Sequence, residues 1–210
     1  MYVPESFRVP DRAVIAGFIA AHGFAVLVSQ TEQGPFATHV PLLLERAETG
    51  DVLVGHMARA NPHWRHFERG AEALVIFQGP HAYVSPSWYA ASPAVPTWNY
   101  SVVHAYGRPA VVADTTRVRA IIDALAAQYE SARATPWSTR DVPDEYVDRM
   151  IAAIVGFEIP IERLEGKFKL GQNRSPEDIA GALAGLQREG GPNGGALADF
   201  TSSELARRRP

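Results

Sequence analysis

The sequence predicts a β-barrel decorated with helices, an α+β chain in one domain, and three observations predict it. Five segments rich in β-branched and aromatic residues follow one another between residues 24 and 112, each bounded by Gly, Pro, Asn or Asp. Helical periodicity is confined to the flanks and to one short interruption. The 210 residues are 46% apolar, enough for a core without staples, and cysteine is absent, which excludes disulfides, thiolate metal sites and cysteine nucleophiles together.

In chain order, Asp11 is the N-cap of a first helix whose apolar stripe is Val14, Ile15, Phe18 and Ile19, with Gly23 closing it. The strand-like segments are 24–30, 35–45, 51–57, 72–79 and 98–112. Between the third and fourth, Asn61-Pro62 starts a short helix through Trp64 and Phe67. Asp114 caps a longer helix with Val118, Ile121, Ile122, Leu125 and Tyr129 at helical spacing. Another begins near Pro143 and repeats Tyr146, Val147, Met150, Ile151 and Ile154. A last strand, GFEIPIERLEGKF, leads through KLGQNRS to a helix capped at Ser175 and running through Gln187. The folded domain is expected over residues 1–188, and the Gly-rich stretch from 189 to 210 is expected to be a flexible tail.

A net charge of −3 gives no general field for a polyanion, so DNA contact is possible but finds no support in charge. No apolar run reaches the roughly 18 to 20 residues that span a bilayer, and the N-terminus lacks a secretion signal, so a cytoplasmic protein away from membranes is expected. Signatures of serine hydrolases, P-loop enzymes, Rossmann dehydrogenases and zinc peptidases are missing. Among the 20 basic residues only Lys167 and Lys169 are lysine, and both fall in one three-residue window.

Four constellations carry chemistry. His39, His56, His81 and His104 fall one per strand-like segment; no metal is assigned to them, because the paired His-x-His and carboxylate of a strand-borne metal site is lacking. In GHMARANPHWR, 55–65, a strand opens into a helix N-terminus with Arg59 at its mouth, which reads either as a phosphate cradle or as a capped surface helix. In EGKFKLGQNRS, 165–175, Lys167 and Lys169 project to one face of an extended backbone with Gln172 and Asn173 following: two cations for one anionic group, or a solvated turn. In VPTWNYSVVHAYG, Trp98, Tyr100, Val102, His104 and Tyr106 share one strand face while Asn99 and Ser101 take the other. Two cationic, donor-rich turns on a mildly acidic chain favour a small phosphorylated ligand over a polymer.

The motifs MYVPESF, THVPLLL, GHMARANPHWR, VIFQGPHAYVSPSWY, VPTWNYSVVHAYG and GFEIPIERLEGKFKLGQNRS, in this order over residues 1 to about 188, resemble the PaiB family of FMN-binding negative transcriptional regulators. The resemblance implies an FMN-binding split β-barrel related to pyridoxamine-phosphate oxidase, a homodimer, and FMN at the subunit interface. Carried over by motif, His39, Val40 and Pro41 with His56, Met57, Ala58 and Arg59 would line the flavin and its phosphate. Asn61 and Trp64 would stand at the helix entry, Gln78 on the next strand, and Trp98 and Asn99 would close over the ring. Lys167, Lys169, Gln172 and Asn173 would complete the site. No catalytic acid or base is named. The functions left open are a flavin-dependent oxidoreductase, a flavin-linked regulator, a DNA-binding repressor without catalysis, and a haem-binding or haem-degrading relative.

Overall fold

The computed structural model describes residues 1–47 and 50–208. Its elements are β1 (Arg8–Val9), α1 (Arg12–Ala21), β2 (Phe24–Thr31), β3 (Gly34–Ala47), β4 (Gly50–Ala58), β5 (Ala73–Val84), β6 (Thr97–Gly107), β7 (Ala110–Val111), α2 (Thr115–Glu130), α3 (Asp144–Ala152), β8 (Ile154–Lys169), α4 (Pro176–Glu189) and α5 (Gly194–Arg207). Short 3-10 helices stand at Pro62–Arg69 and Pro86–Trp88, among others.

The strand order is β1-β8-β4-β3-β2-β5-β6, with β7 on β8 and β6 paired back to β8. That return pairing closes the path, as a barrel requires. β2 and β3 form a hairpin with Val26 opposite His39, and β3 turns into β4 with Leu42 opposite Gly55. The capping residues act as their chemistry dictates. Asp11 accepts from the backbone N–H of Ala13, Asn61 from His63, Asp114 from Thr116 and Ser175 from Asp178.

The chain divides into two compact units where one domain was expected. The first comprises 1–15, 78–103 and 165–210; the second comprises 16–77 and 104–164. In the second, α2 lays Ile121 and Leu125 on Val54 of the sheet, and α3 packs Val147 and Ile151 on Val118 of α2. Burial of each such side chain contributes on the order of 1.5 to 3 kcal/mol. Tyr146 and Met150, expected on the same stripe, are exposed: α3 is only nine residues long and buries a narrow edge. The expected strand 98–112 is two strands. Pro109 has no N–H to donate, so the ladder breaks there, and β7 resumes it against Glu158 and Phe157 of β8.

The larger departure lies at the C-terminus. Residues 194–207, expected as tail, form α5, with Leu197 and Ala198 buried and Phe200 edge-on to Phe168 at 5.1 Å between ring centres. The glycines that suggested flexibility serve the tight turn between α4 and α5, where Gly191 adopts φ 68°. Among the described residues no helix is long and apolar enough to cross a membrane.

Candidate functional site

Of the residues singled out from the sequence, His39, Val40, Pro41, His56, Met57, Ala58, Arg59, Asn61 and Trp64 lie in the second unit. Gln78, Trp98, Asn99, Lys167, Lys169, Gln172 and Asn173 lie in the first. The two groups differ in how far their polar atoms are already engaged.

In the second unit the loop after β4 is internally satisfied. Asn61 Nδ2 donates to Thr38 Oγ1 at 3.1 Å and its Oδ1 caps His63. The His63 ring is bracketed by Thr38 Oγ1 at Nδ1, 2.7 Å, and Ser29 Oγ at Nε2, 2.9 Å. Burial, with His66 nearby, depresses its pKa to about 4, so the ring is neutral at pH 7. Trp64 Nε1 donates to the Arg59 carbonyl at 3.0 Å. Arg59 turns its guanidinium away from the helix mouth, giving Nε to the Ala152 carbonyl and Nη2 to that of Ile154 at 2.8 and 2.6 Å. It thereby ties the end of α3 and edges a cavity of about 600 Å3 beneath α2 and α3. Of the two readings of this segment, the hydrogen bonds match a capped helix whose polar groups hold the loop together.

Along β3, His39 is exposed and stacks on Phe24, while Val40 is buried, so a ligand there meets the His39 side chain and the strand backbone. Met57 is likewise buried, and Ala58 is exposed. His56 stands out because its Nδ1 is buried with no hydrogen-bond partner, and burial lowers its pKa.

In the first unit the strand face read from the sequence is present: Trp98 and Tyr100 look outward, and Asn99 and Ser101 are buried. Lys169 donates to Thr97 Oγ1 and, at 2.9 Å, to the Trp98 carbonyl. An ammonium has three N–H groups, so one remains for a ligand. Burial lowers the Lys169 pKa, Tyr100 opposes that shift, and neighbouring Lys167 adds to it. Lys167, although 8% exposed, is held by the Tyr2 carbonyl at 3.1 Å and by the rings of Tyr2 and Tyr100 at 5.4 and 5.2 Å. Asn99 Oδ1 is buried without a partner. Gln172 closes its own turn, accepting from Leu170 N and donating to the Phe168 carbonyl at 2.7 and 2.6 Å, and Gly171 adopts φ 81° there. Asn173 is exposed, and Gln78 is exposed with its amide against His81 at 3.2 Å.

Sequence reasoning missed Thr38, Ser29 and the role of His63. The signal was available in Thr38 and Asn61, two small polar residues at the end of apolar runs, but only the hairpin register brings Thr38 to the helix start. Among the described residues no three His, Asp or Glu gather as metal ligands.

The closed antiparallel strand order with its peripheral helices is that of a split β-barrel. The solved structures agree on the fold. The FAD- and heme-binding protein of Mycobacterium smegmatis superposes with TM-score 0.58 at 20% identity, covering 82% of this chain and 78% of that one. The flavocytochrome Anf3 of Azotobacter vinelandii does so with TM-score 0.57 at 18% identity, covering 85% and 78%. Residues 1–163 match the family model described as "Putative FMN-binding domain". Protease synthase and sporulation protein PAI 2 of Bacillus subtilis is 36% identical over 206 residues, 98% of each chain. The chain belongs to this FMN-binding, PaiB-type family, and FMN is the cofactor that membership assigns.

The residues present fit that cofactor. FMN offers a phosphate, ribityl hydroxyls and an imide N–H. Lys169 offers a cationic donor and Asn99 Oδ1 an acceptor that nothing in the chain satisfies.

Proposed function

We propose that the protein is a homodimeric, FMN-dependent oxidoreductase. The observation that carries the flavin grip in this reading is the pairing of Lys169, with an N–H to spare, and Asn99, with a buried acceptor to satisfy, on adjoining positions of one unit. When bound, FMN supplies reversible two-electron chemistry, and the chain supplies grip and surroundings. Lys169 holds the phosphate with Lys167 behind it as a second positive charge. Asn99 accepts from a flavin N–H or hydroxyl, and Trp98 covers the ring. In the second unit, taken by itself, His39, Val40 and Pro41 offer a strand edge of the kind a flavin ring packs on, with His56 and Ala58 on β4. Arg59, Asn61, Trp64 and Gln172 act through the chain: they fix the loops that carry the contacts. Gln78 and Asn173, both exposed, lie at the rim.

The test is anaerobic reduction of the FMN-loaded protein with NADH or NADPH, followed by reoxidation with a quinone or a nitroaromatic acceptor. Turnover with either donor supports an enzyme. Bound flavin that no donor reduces faster than free FMN contradicts one.

A second reading, a flavin-linked regulator acting in the cytoplasm, is favoured by the Bacillus relative, a protease synthase and sporulation protein matched over 98% of each chain. It predicts promoter binding that changes with flavin redox state. The net charge of −3 offers such binding no general electrostatic help.

A further inference from the structure

A second cavity, of about 530 Å3, lies wholly within the first unit and takes no part in the phosphate grip. Its walls are His81 and Tyr83 on β5, Trp88 in the 3-10 helix, Trp98 on β6, and the chain from Glu189 to Asn193. Tyr83 and Trp98 are 42% and 55% exposed, an open aromatic surface that a folded chain normally covers. The two rings meet edge to face at 6.2 Å, and His81 lies 6.4 Å from Trp98.

The cleft is built to keep this arrangement. Trp88 sits in a notch on α4 made by two glycines one turn apart. A Cβ on Gly185 would fall 2.2 Å from the Trp88 ring, and one on Gly181 would fall 2.0 Å from its carbonyl oxygen. The loop that follows Trp88 is pinned where Ala91 N donates to buried Asp178 at 2.9 Å.

Its one charged lining side chain is an acid, Glu189. No lysine or arginine is among the lining residues. α4 ends at Glu189, so the partial negative charge of a helix C-terminus and a carboxylate both stand at the wall. Three aromatic rings add the negative potential of their faces. Glu189 pairs with Arg188, but both side chains are more than half exposed, and a pair so placed yields readily to a ligand. The N-terminus of α5 at Asn193 opposes this at one wall, so a cation is favoured where the rings and Glu189 face it.

We propose that this cleft binds an organic cation of the alkylammonium type, its head against Tyr83, Trp88 and Trp98 and its charge met by Glu189 and the end of α4. The inference goes beyond the flavin reading and shares only Trp98 with it.

Calorimetric titration of the full chain, with and without FMN, tests it with choline as the probe and 3,3-dimethylbutan-1-ol as its neutral isostere. Choline binds about ten-fold or more tightly than the alcohol, the scale of a desolvated cation–π site. Tyr83→Leu abolishes that preference and Glu189→Gln weakens choline severalfold, while FMN affinity, read by flavin fluorescence, stays as in the wild type. Equal binding of the two probes, no choline binding at millimolar concentration, or Tyr83→Leu leaving choline affinity intact overturns the proposal. So does a Tyr83→Leu chain that changes oligomeric state without choline having bound the wild type, which makes the face a subunit contact. Failure of the flavin reading is separately visible as a chain that takes up no FMN.

Discussion

The two units handle their polar side chains in opposite ways. In the second, the Asn61–Thr38–His63–Ser29 chain and the Arg59 clamp on α3 leave almost nothing unpaired around the loop after β4. In the first, Asn99 Oδ1 is buried and unmet, Lys169 is half-buried with a donor to give, and an aromatic cleft stands open. A satisfied network rigidifies and specifies, whereas an unsatisfied buried group costs stability unless a ligand completes it. The second unit therefore reads as the frame for its loop, with His56 Nδ1 its one buried polar side-chain atom left unmet among the described residues, and the first as the place where more ligand contacts are still to be made.

The largest expected effect breaks the frame. His63→Ala removes a fully buried ring and strands two hydroxyls, so urea unfolding should show a loss of about 2 to 4 kcal/mol. A loss below the error of the measurement would deny the network its structural role.

Acid should do the same more gently. The folded pKa of His63 is lowered from 6.5 to about 4, so the unfolded chain takes up a proton first and stability drains as pH falls from 6.5 towards 4. The contribution is at most about 3 kcal/mol and should vanish from the pH profile of His63→Gln. An unchanged slope between wild type and variant in that window would place the titration elsewhere.

In the first unit the effect moves from stability to ligand. Lys169→Ala should weaken FMN by about 1 to 3 kcal/mol, one charge-assisted hydrogen bond, and lose about 1 kcal/mol of stability with its bonds to Thr97 and the Trp98 carbonyl. Arg59→Ala sharpens the contrast with the smallest effect: about 1 kcal/mol of stability from two lost bonds to carbonyls, and FMN affinity within a factor of about three of wild type. Reversed outcomes for Lys169 and Arg59 would exchange the roles of the two units.

Much of the architecture was legible before the structure because it is local. Alternation marks β2 to β6, and Asp11, Asn61, Asp114 and Ser175 mark the helix starts they cap. What was not legible is set by distance along the chain. The units are interleaved from five segments, so no boundary leaves a compositional trace. α5 was hidden by its own glycine-rich entry, although Leu197, Phe200 and Thr201 follow helical spacing. At the site, residue types were legible but their engagement was not. Arg59 reads as an anion ligand until the end of α3 and the start of β8, more than ninety residues later, supply the Ala152 and Ile154 carbonyls to take its donors. Asn99 reads as one more strand residue until burial leaves its Oδ1 alone.

The central claim, that the phosphate of FMN is held by the first unit's lysine, is tested most directly by comparing FMN with riboflavin, which lacks the phosphate. Equilibrium titration of wild type, Lys169→Ala and Arg59→Ala with both flavins gives three preference ratios. The account predicts that wild type and Arg59→Ala prefer FMN to the same degree and that Lys169→Ala loses most of that preference while keeping its affinity for riboflavin. A preference that survives in Lys169→Ala and disappears in Arg59→Ala would contradict it.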